Sequence, residues 1–327
     1  MAEQRGSGPA GGGESADTEE PAAAEGRERI AYLGPAGTFT EDALREALAG
    51  EDRGADGSAG GGGAFTPLRT ATIPEALEAV AEGRADRALA PFENSIEGSV
   101  RAVLDALALE VEGVTIVGEH DYVVRPQLIA RRSVALGEIT AVLSHPQPLA
   151  QCARFLRAEV PGAELRAVSS TAQAVREVSE RNEEGRAASE GGEVLAALGA
   201  ISAAELYGCE ILREAEPDAV DNVTRFVWIA PEGTDPGPGS EWKTSLVFSE
   251  LGADHPGALV EALHEFSSRD VNLSRIESRP LRQGLGRYMF FLDIEGGLDE
   301  PPVAEAIAQL RAKAERVTLL GSYPTRR

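Results

Sequence analysis

The chain has 327 residues, 42% hydrophobic and 26% charged, with 31 basic against 54 acidic side chains and a net charge of −23. The length supports two or three domains with real cores, and the charge argues against nucleic acid and anionic membranes as partners, since basic patches supply affinity there. Cys152 and Cys209 lie far apart with no Cys-x-x-Cys spacing, no apolar run approaches the roughly 20 residues of a membrane span, and the N-terminus lacks a signal peptide's basic and apolar regions, so the expectation is a cytoplasmic protein without disulfides or a cysteine zinc site.

Residues 1–28 are acidic and rich in Gly and Ala, and read as a disordered tail. A strand at Arg29–Leu33 runs into the turn Gly34-Pro35-Ala36-Gly37-Thr38-Phe39, which opens a helix near Thr40. The glycines at 60–63 mark a surface loop before a strand over 65–69. Thr72-Ile73-Pro74-Glu75 has capping-box spacing, with Ile73, Leu77 and Val80 on one face of the helix it opens. Strands follow over 88–91, 114–119, 122–130 and 141–143, then Ser144-His145-Pro146-Gln147 and a helix over 148–158. A strand over 165–168 leads to a second capping box, Ser170-Thr171-Ala172-Gln173, whose helix ends near Arg181. The segment 182–193 is a polar loop. A helix around 202–207 and a strand from Thr224 complete the region. Alternating strands and helices with short loops indicate an α/β domain, whose ligands gather at strand ends beside helix N-termini.

Residues 231–240, rich in Pro and Gly, read as a linker to a separable unit. Beyond it come strand 244–248, helix 256–268, strands 273–278 and 287–294, helix 302–314 and strand 317–321. That β-α-β-β-α-β order is the ferredoxin-like signature.

The most informative segment is Asp221-Asn222-Val223-Thr224-Arg225-Phe226, which leads into the apolar strand Val227-Trp228-Ile229. In an extended strand Thr224 and Phe226 share one face and Arg225 takes the other. Arg225 then either wraps round the edge to a ligand or sits in an ordinary ion pair. Glu93-Asn94-Ser95 reads as a site or as a helix cap or turn. His145 ends a strand and has no metal partner at ligand spacing. The glycine turn at 34–37 lacks the third glycine of a dinucleotide fingerprint and the Gly-Lys-Ser/Thr of a P-loop. No Gly-x-Ser-x-Gly elbow or Cys-His pair is present. What remains is a cleft of hydroxyls, amides, one Glu and one Arg that needs no cofactor or metal.

Taken in order, these segments resemble the prephenate dehydratase family. They are Gly34-Pro35-Ala36-Gly37-Thr38-Phe39, Pro91-Phe92-Glu93-Asn94-Ser95 with Gly98, His145-Pro146-Gln147 with Gln151-Cys152, Ser170-Thr171-Ala172, Ala203-Ala204-Glu205-Leu206-Tyr207-Gly208 and Asn222-Val223-Thr224-Arg225-Phe226. His255-Pro256-Gly257-Ala258-Leu259-Val260 and Glu277-Ser278-Arg279-Pro280 resemble the phenylalanine-binding ACT regulatory domain. The resemblance implies a two-lobed, periplasmic-binding-protein-like catalytic region over 29–230 and an ACT domain over 241–327. It leaves no room for a chorismate mutase domain before Ile30, so a monofunctional enzyme is expected.

The implied reaction turns prephenate into phenylpyruvate with loss of water and carbon dioxide. In that reading Thr224 serves the departing hydroxyl, with Glu93 or water behind it. Thr38, Asn94, Ser95, His145, Ser170, Thr171 and Asn222 hold the carboxylates and the keto group. Phe226 covers the ring, and Arg225 supplies charge or braces the loop. Phenylalanine is expected on Gly257, Ala258, Leu259, Asn272 and Leu273, with Glu277 and Ser278 bracing a partner chain in a homodimer or homotetramer. Arogenate dehydratase and a non-catalytic amino-acid sensor are the alternatives.

Overall fold

A computed structural model describes residues 27–52, 65–181, 192–219, 222–251 and 255–325. The acidic tail up to residue 26, the glycines at 60–63, most of the loop at 182–193 and Asp221 lie outside the described residues.

The first sheet joins β1 (Arg29–Leu33), β2 (Thr66–Thr70), β3 (Arg87–Asn94), β4 (Gly98–Ser99) and β5 (Val114–Val123) to β11 (Val223–Pro231), which returns from late in the chain. Its order is β2-β1-β3-β11-β5, with β4 paired to the end of β3. β1 runs parallel to β2 and β3, and β11 runs antiparallel to both its neighbours. Helices α1 (Phe39–Asp52), α2 (Ile73–Ala81) and α3 (Arg101–Asp105) pack against it. α2 starts as its sequence demands. The Thr72 hydroxyl accepts from the Glu75 N–H at 3.3 Å, Pro74 sits in the first turn, and Ile73, Leu77 and Val80 are buried.

The second lobe holds β6 (Gln127–Ala130), β7 (Ala141–Ser144), β8 (Glu164–Ala167), β9 (Leu195–Gly199) and β10 (Glu210–Glu214), in the order β10-β6-β9-β7-β8. Its helices are α4 (Pro146–Gln151), α5 (Ala153–Glu159), α6 (Thr171–Arg181) and α7 (Ile201–Leu206). β9 is buried along its whole length, and at Gly199 an added Cβ would come within 2.6 Å of Val175 on α6. The chain enters this lobe after β5 and leaves it before β11, so two crossings connect the lobes.

Three elements differ from expectation. β5 runs unbroken through His120 and Asp121, and the interruption falls instead before Pro126. β5 is an edge strand, where polar residues are tolerated and pairing with β11 carries the ladder. The helix expected over 148–158 is two helices broken at Cys152. Asp218 makes the break: its N–H donates to the Gln151 carbonyl at 2.6 Å, and its carboxylate accepts from the Arg154 N–H at 2.9 Å. β10 is an edge strand of mostly exposed residues and carries no buried period for the sequence to reveal.

The C-terminal unit comprises β12 (Trp242–Ser249), α8 (Ala258–Ser267), β13 (Leu273–Pro280), β14 (Tyr288–Glu295), α9 (Pro301–Lys313) and β15 (Arg316–Pro324), with the sheet order β13-β14-β12-β15. Alternation along β12 and β14 divides its side chains. Leu246, Phe248, Leu292 and Ile294 meet the helices, while Val247, Met289 and Phe291 meet the first lobe. With Leu281, Leu320 and Tyr323 they share one apolar cluster with Leu107 and Ile116. Gly321 crosses β5 so closely that a Cβ there would lie 2.2 Å from the Ile116 carbonyl oxygen. The chain between β11 and β12 is rich in Pro and Gly, and the sheets it joins have a common core.

Candidate active site

A cavity of about 440 Å³ lies between the lobes. The first lobe contributes Phe39, Thr40, Pro91, Asn94, Glu97, Ser99, Thr224 and Phe226, and the second contributes His145, Gln147, Gln151, Ser169, Ser170 and Thr171. Asn222, at the second crossing, completes the wall.

The alternation expected of β11 is observed. Thr224 and Phe226 face the cavity, and Arg225 faces away, toward the C-terminal unit. β3 departs from alternation. The β11 to β3 register shifts between Arg225 and Phe226, so that Thr224 pairs with Asn94, Arg225 with Glu93 and Phe226 with Pro91. β3 carries one extra residue there, a bulge. Pro91 and Asn94 line the cavity, whereas Phe92 and Glu93 both lie on the opposite face beside Arg225.

Asn94 is the hub of the polar wall. Its Nδ2 donates to Thr224 Oγ1 at 2.9 Å and to Asn222 Oδ1 at 2.9 Å. Its Oδ1 accepts from the N–H groups of Ile96 and Glu97 at 2.9 and 3.0 Å, which fixes the amide's orientation. Asn222 Nδ2 donates to Gln151 Oε1 at 3.2 Å, so the network crosses to the second lobe. With Oγ1 engaged as an acceptor, the Thr224 hydroxyl proton is available to a ligand in the cavity.

The far wall is the start of α6. Ser170 Oγ accepts from the Gln173 N–H at 3.1 Å, and Ser170 and Thr171 line the cavity at the helix N-terminus. The Gln173 side chain turns to Ser169 and Glu177, so the reciprocal half of the expected capping box is not made. No Lys or Arg lines the cavity among the described residues. Anions there meet backbone amides, hydroxyls and a helix dipole.

Several expected ligands lie elsewhere. Thr38 donates to the Pro35 carbonyl at 3.2 Å and is replaced at the wall by Phe39 and Thr40. The Ser95 hydroxyl accepts from the Val223 N–H at 3.0 Å, tying two loop starts together outside the lining. Glu93 and Arg225 are corrected as substrate-facing groups, because both sit behind the sheet in an ion cluster with Glu119, Arg275 and Asp293. Burial works against the Arg225 charge, but Asp293, Tyr323 and Glu119 together outweigh burial and hold the guanidinium above its ordinary range. Gln147 and Gln151 were missed as candidates, although their spacing of four after His145 was a readable signal. His145 caps α4, its Nδ1 accepting from the Gln147 N–H at 3.3 Å. Burial pushes the Cys152 thiol up to about 12, which removes it as a nucleophile.

A second inter-lobe contact lies beside the cavity. The Asp42 carboxylate on α1 accepts from the N–H groups of Ile201 and Ser202, at 3.0 and 3.1 Å, at the start of α7. Gly37 makes this approach possible: its φ is +78°, and a Cβ would lie 3.0 Å from Ala203.

In the C-terminal unit, Asn272 and Leu273 line an open pocket of about 400 Å³ with Val260, Leu263, His264 and Ser267 of α8. Gly257, Ala258, Leu259, Glu277 and Ser278 are not on its wall. Gly257 caps α8 at φ +100°. On β13, Arg275 and Arg279 reach Ser99 and Asp105 of the first lobe.

The prephenate dehydratase profile matches residues 30–234, and the ACT domain profile matches residues 248–312. A prephenate dehydratase of Mycolicibacterium smegmatis is 42% identical over 298 residues, covering 91% of this chain and 90% of that one. Among solved structures, the prephenate dehydratase of Arthrobacter aurescens in complex with L-Phe is 36% identical, with a TM-score of 0.75 and 90% of each chain covered. Another, described as a quorum-quenching acylase, is 31% identical, with a TM-score of 0.75, covering 91% of this chain and 98% of that one. With a profile match across both lobes and relatives that align along nine-tenths of its length, this chain belongs to the prephenate dehydratase family.

Proposed function

We propose that the cleft converts prephenate to phenylpyruvate, and that Thr224 serves the leaving hydroxyl. The observation that carries this is the Asn94 amide, which holds Thr224 Oγ1 as an acceptor and leaves its O–H free toward the cavity. As the ring carboxylate departs as carbon dioxide, the electrons of the broken C–C bond aromatise the ring and expel the hydroxyl, which takes up one proton and leaves as water. Thr224 donates to that oxygen as charge develops on it. A threonine hydroxyl is a weak acid, so the net proton comes from water. The placement of Glu93 toward the C-terminal unit favours water over Glu93 as that source.

Prephenate carries two carboxylates, and the N-terminus of α6 with Ser170 and Thr171 suits one of them. Asn94, Asn222, His145 and Gln147 supply further polar contacts, while Phe226 and Phe39 meet the ring. The catalytic part spans 29–230 and the regulatory ACT domain 241–327. Phenylalanine binds the regulatory part and lowers turnover, with its pocket completed by a second copy in a homodimer or homotetramer, and the enzyme works in the cytoplasm. The seating of phenylalanine follows the family resemblance. The open α8 pocket, with Val260 70% exposed at its edge, supports completion by a partner.

The test is to add prephenate or arogenate to the purified full chain and follow phenylpyruvate or phenylalanine. Turnover of neither sinks the proposal, and preferred turnover of arogenate changes the substrate. An acylase activity, as described for one structural neighbour, calls for a nucleophile paired with a base. No hydrogen bond joins His145 to a cavity hydroxyl among the described residues, and this favours the dehydratase reading.

A further inference from the structure

Four charged residues from two sheets close into a square across the junction between the first lobe and the C-terminal unit. Glu93 and Arg225 are ladder partners on β3 and β11, and Arg275 and Asp293 are ladder partners on β13 and β14. The pairs meet with opposite signs. Arg225 Nη2 lies 2.5 Å from Asp293, and Arg275 Nε lies 3.7 Å from Glu93. Both guanidiniums sit over the Phe92 ring, at 4.8 and 4.9 Å from its centroid. Ser245 donates to the second Asp293 oxygen at 2.7 Å, and Arg225 and Lys243 share Glu119. Side-chain exposure is 1% for Asp293, 6% for Arg275 and 12% for Arg225.

Glu93, at 38% exposure, is the open corner of the square, and the three deeper charges are tolerated because opposite charges face them. The first lobe brings Glu93 and Glu119 against one cation, Arg225. The C-terminal unit brings Lys243 and Arg275 against one anion, Asp293. Each half is balanced only by the other, so docking sets the square. The square in turn sets the backbone of two strands at residues 93 and 225. One residue along, the next ladder pair is Asn94 and Thr224, facing the cavity. Arg275 also reaches the cavity wall, where its Nη2 donates to Ser99 Oγ at 2.7 Å.

We propose that Asp293 and Arg275 of the C-terminal unit are positioning residues for the reaction: they fix the ladder step that aims Thr224 and Asn94 into the cleft, and they hold Ser99 at its wall. The proposal rests on the reading of Thr224 as the group that serves the leaving hydroxyl. Neither residue touches substrate; they act through Arg225, Glu93 and Ser99. A shift of the C-terminal sheet is then felt one residue from Thr224, without any change in the opening between the lobes.

The experiment uses full-length protein and prephenate. Asp293→Asn keeps the shape and removes the charge, and is expected to lower kcat about tenfold with KM within about twofold. Arg275→Lys, which keeps a charge but loses the Nη2 donor to Ser99, is expected to shift kcat in the same direction and serves if Asp293→Asn does not fold. The control is Asp105→Asn, which cuts the Arg279 and Arg282 pairs at the same junction but away from β11. It is expected to lower the melting temperature and leave kcat unchanged. If Asp293→Asn and Arg275→Lys keep wild-type kcat, or if Asp105→Asn lowers kcat as much as they do, the positioning role is overturned. Thr224→Ala, run alongside, separates the two ideas: full turnover in that variant defeats the Thr224 reading and this proposal with it.

Discussion

Thr224 and Arg225 are adjacent in the chain and point into different parts of the molecule. The hydroxyl of one meets the inter-lobe cavity, and the guanidinium of the other ends 2.5 Å from Asp293 in the C-terminal sheet. A strand buried on both faces makes that possible. It also makes the two side chains separable by experiment.

Thr224→Ala is expected to lower kcat by about a hundredfold or more while changing KM little, because the lost hydrogen bond forms mainly in the transition state. Steady-state kinetics with prephenate check this, with circular dichroism to establish folding. A folded variant with near-normal kcat would remove Thr224 from the mechanism.

Gly257→Val is expected to blunt inhibition by phenylalanine more than it affects turnover. Nothing lies within 4 Å of a Cβ at this position, so a clash is not the cause. The cause is the backbone: φ is +100°, and a β-branched residue there costs about 1–3 kcal/mol. The variant relaxes by moving the start of α8. Inhibition curves for both proteins decide the matter, and a tenfold rise in the half-inhibiting concentration is the expected result. Overlapping curves would place phenylalanine away from this turn.

Truncation after Pro231 is expected to give an insoluble or strongly destabilised chain. It uncovers Ile116 and Leu107 by removing Val247, Phe291 and Tyr323 from the shared cluster. Each large apolar side chain so exposed costs about 1.5–3 kcal/mol. It also leaves Arg225 without Asp293. Expression and thermal unfolding of the shortened chain test this; a soluble product melting with the full chain would mean that the junction contributes little.

Asp42 should give stability a pH signature. Burial raises its carboxyl above the ordinary value, against the lowering effect of the N–H donors of α7. The native chain therefore binds this proton more readily than the unfolded one. Its stabilising contribution is full at the acid end and is lost as pH rises from the ordinary carboxylate value through the native one. Asp42→Asn cannot titrate. The stability difference, wild type minus variant, should shift toward the wild type as pH falls through that window, as measured by denaturant unfolding over a pH series. A flat difference would show that burial does not govern this carboxyl.

Much of this was legible in the sequence. Alternation across Thr224, Arg225 and Phe226 gave the right faces, and the β-α-β-β-α-β order of the C-terminal unit was readable from its succession of apolar runs separated by turn residues. What stayed hidden was mostly non-local. β10 and the polar part of β5 are edge segments whose pairing partners, not their composition, make them strands. The docking of the third sheet was obscured by a linker that looks flexible. Glu93 reads with Asn94 and Ser95 as a site or a turn after a strand ending at Pro91, because a bulge leaves no mark in residue types; β3 in fact runs on to Asn94.

That extra residue in β3 decides whether Glu93 adds its negative charge to the cleft. In a regular strand with Pro91 at the cavity, Glu93 would follow it onto the same wall and Asn94 would turn to the guanidiniums. A carboxylate would then confront a doubly charged substrate, at a wall to which no described Lys or Arg contributes. With the bulge, the anion is spent on Arg225 and Arg275 behind the sheet, and a neutral amide meets the ligand. An enzyme with a net charge of −23 thereby keeps a second carboxylate, beside Glu97, off a wall to which no described lysine or arginine contributes, by a local change in strand register.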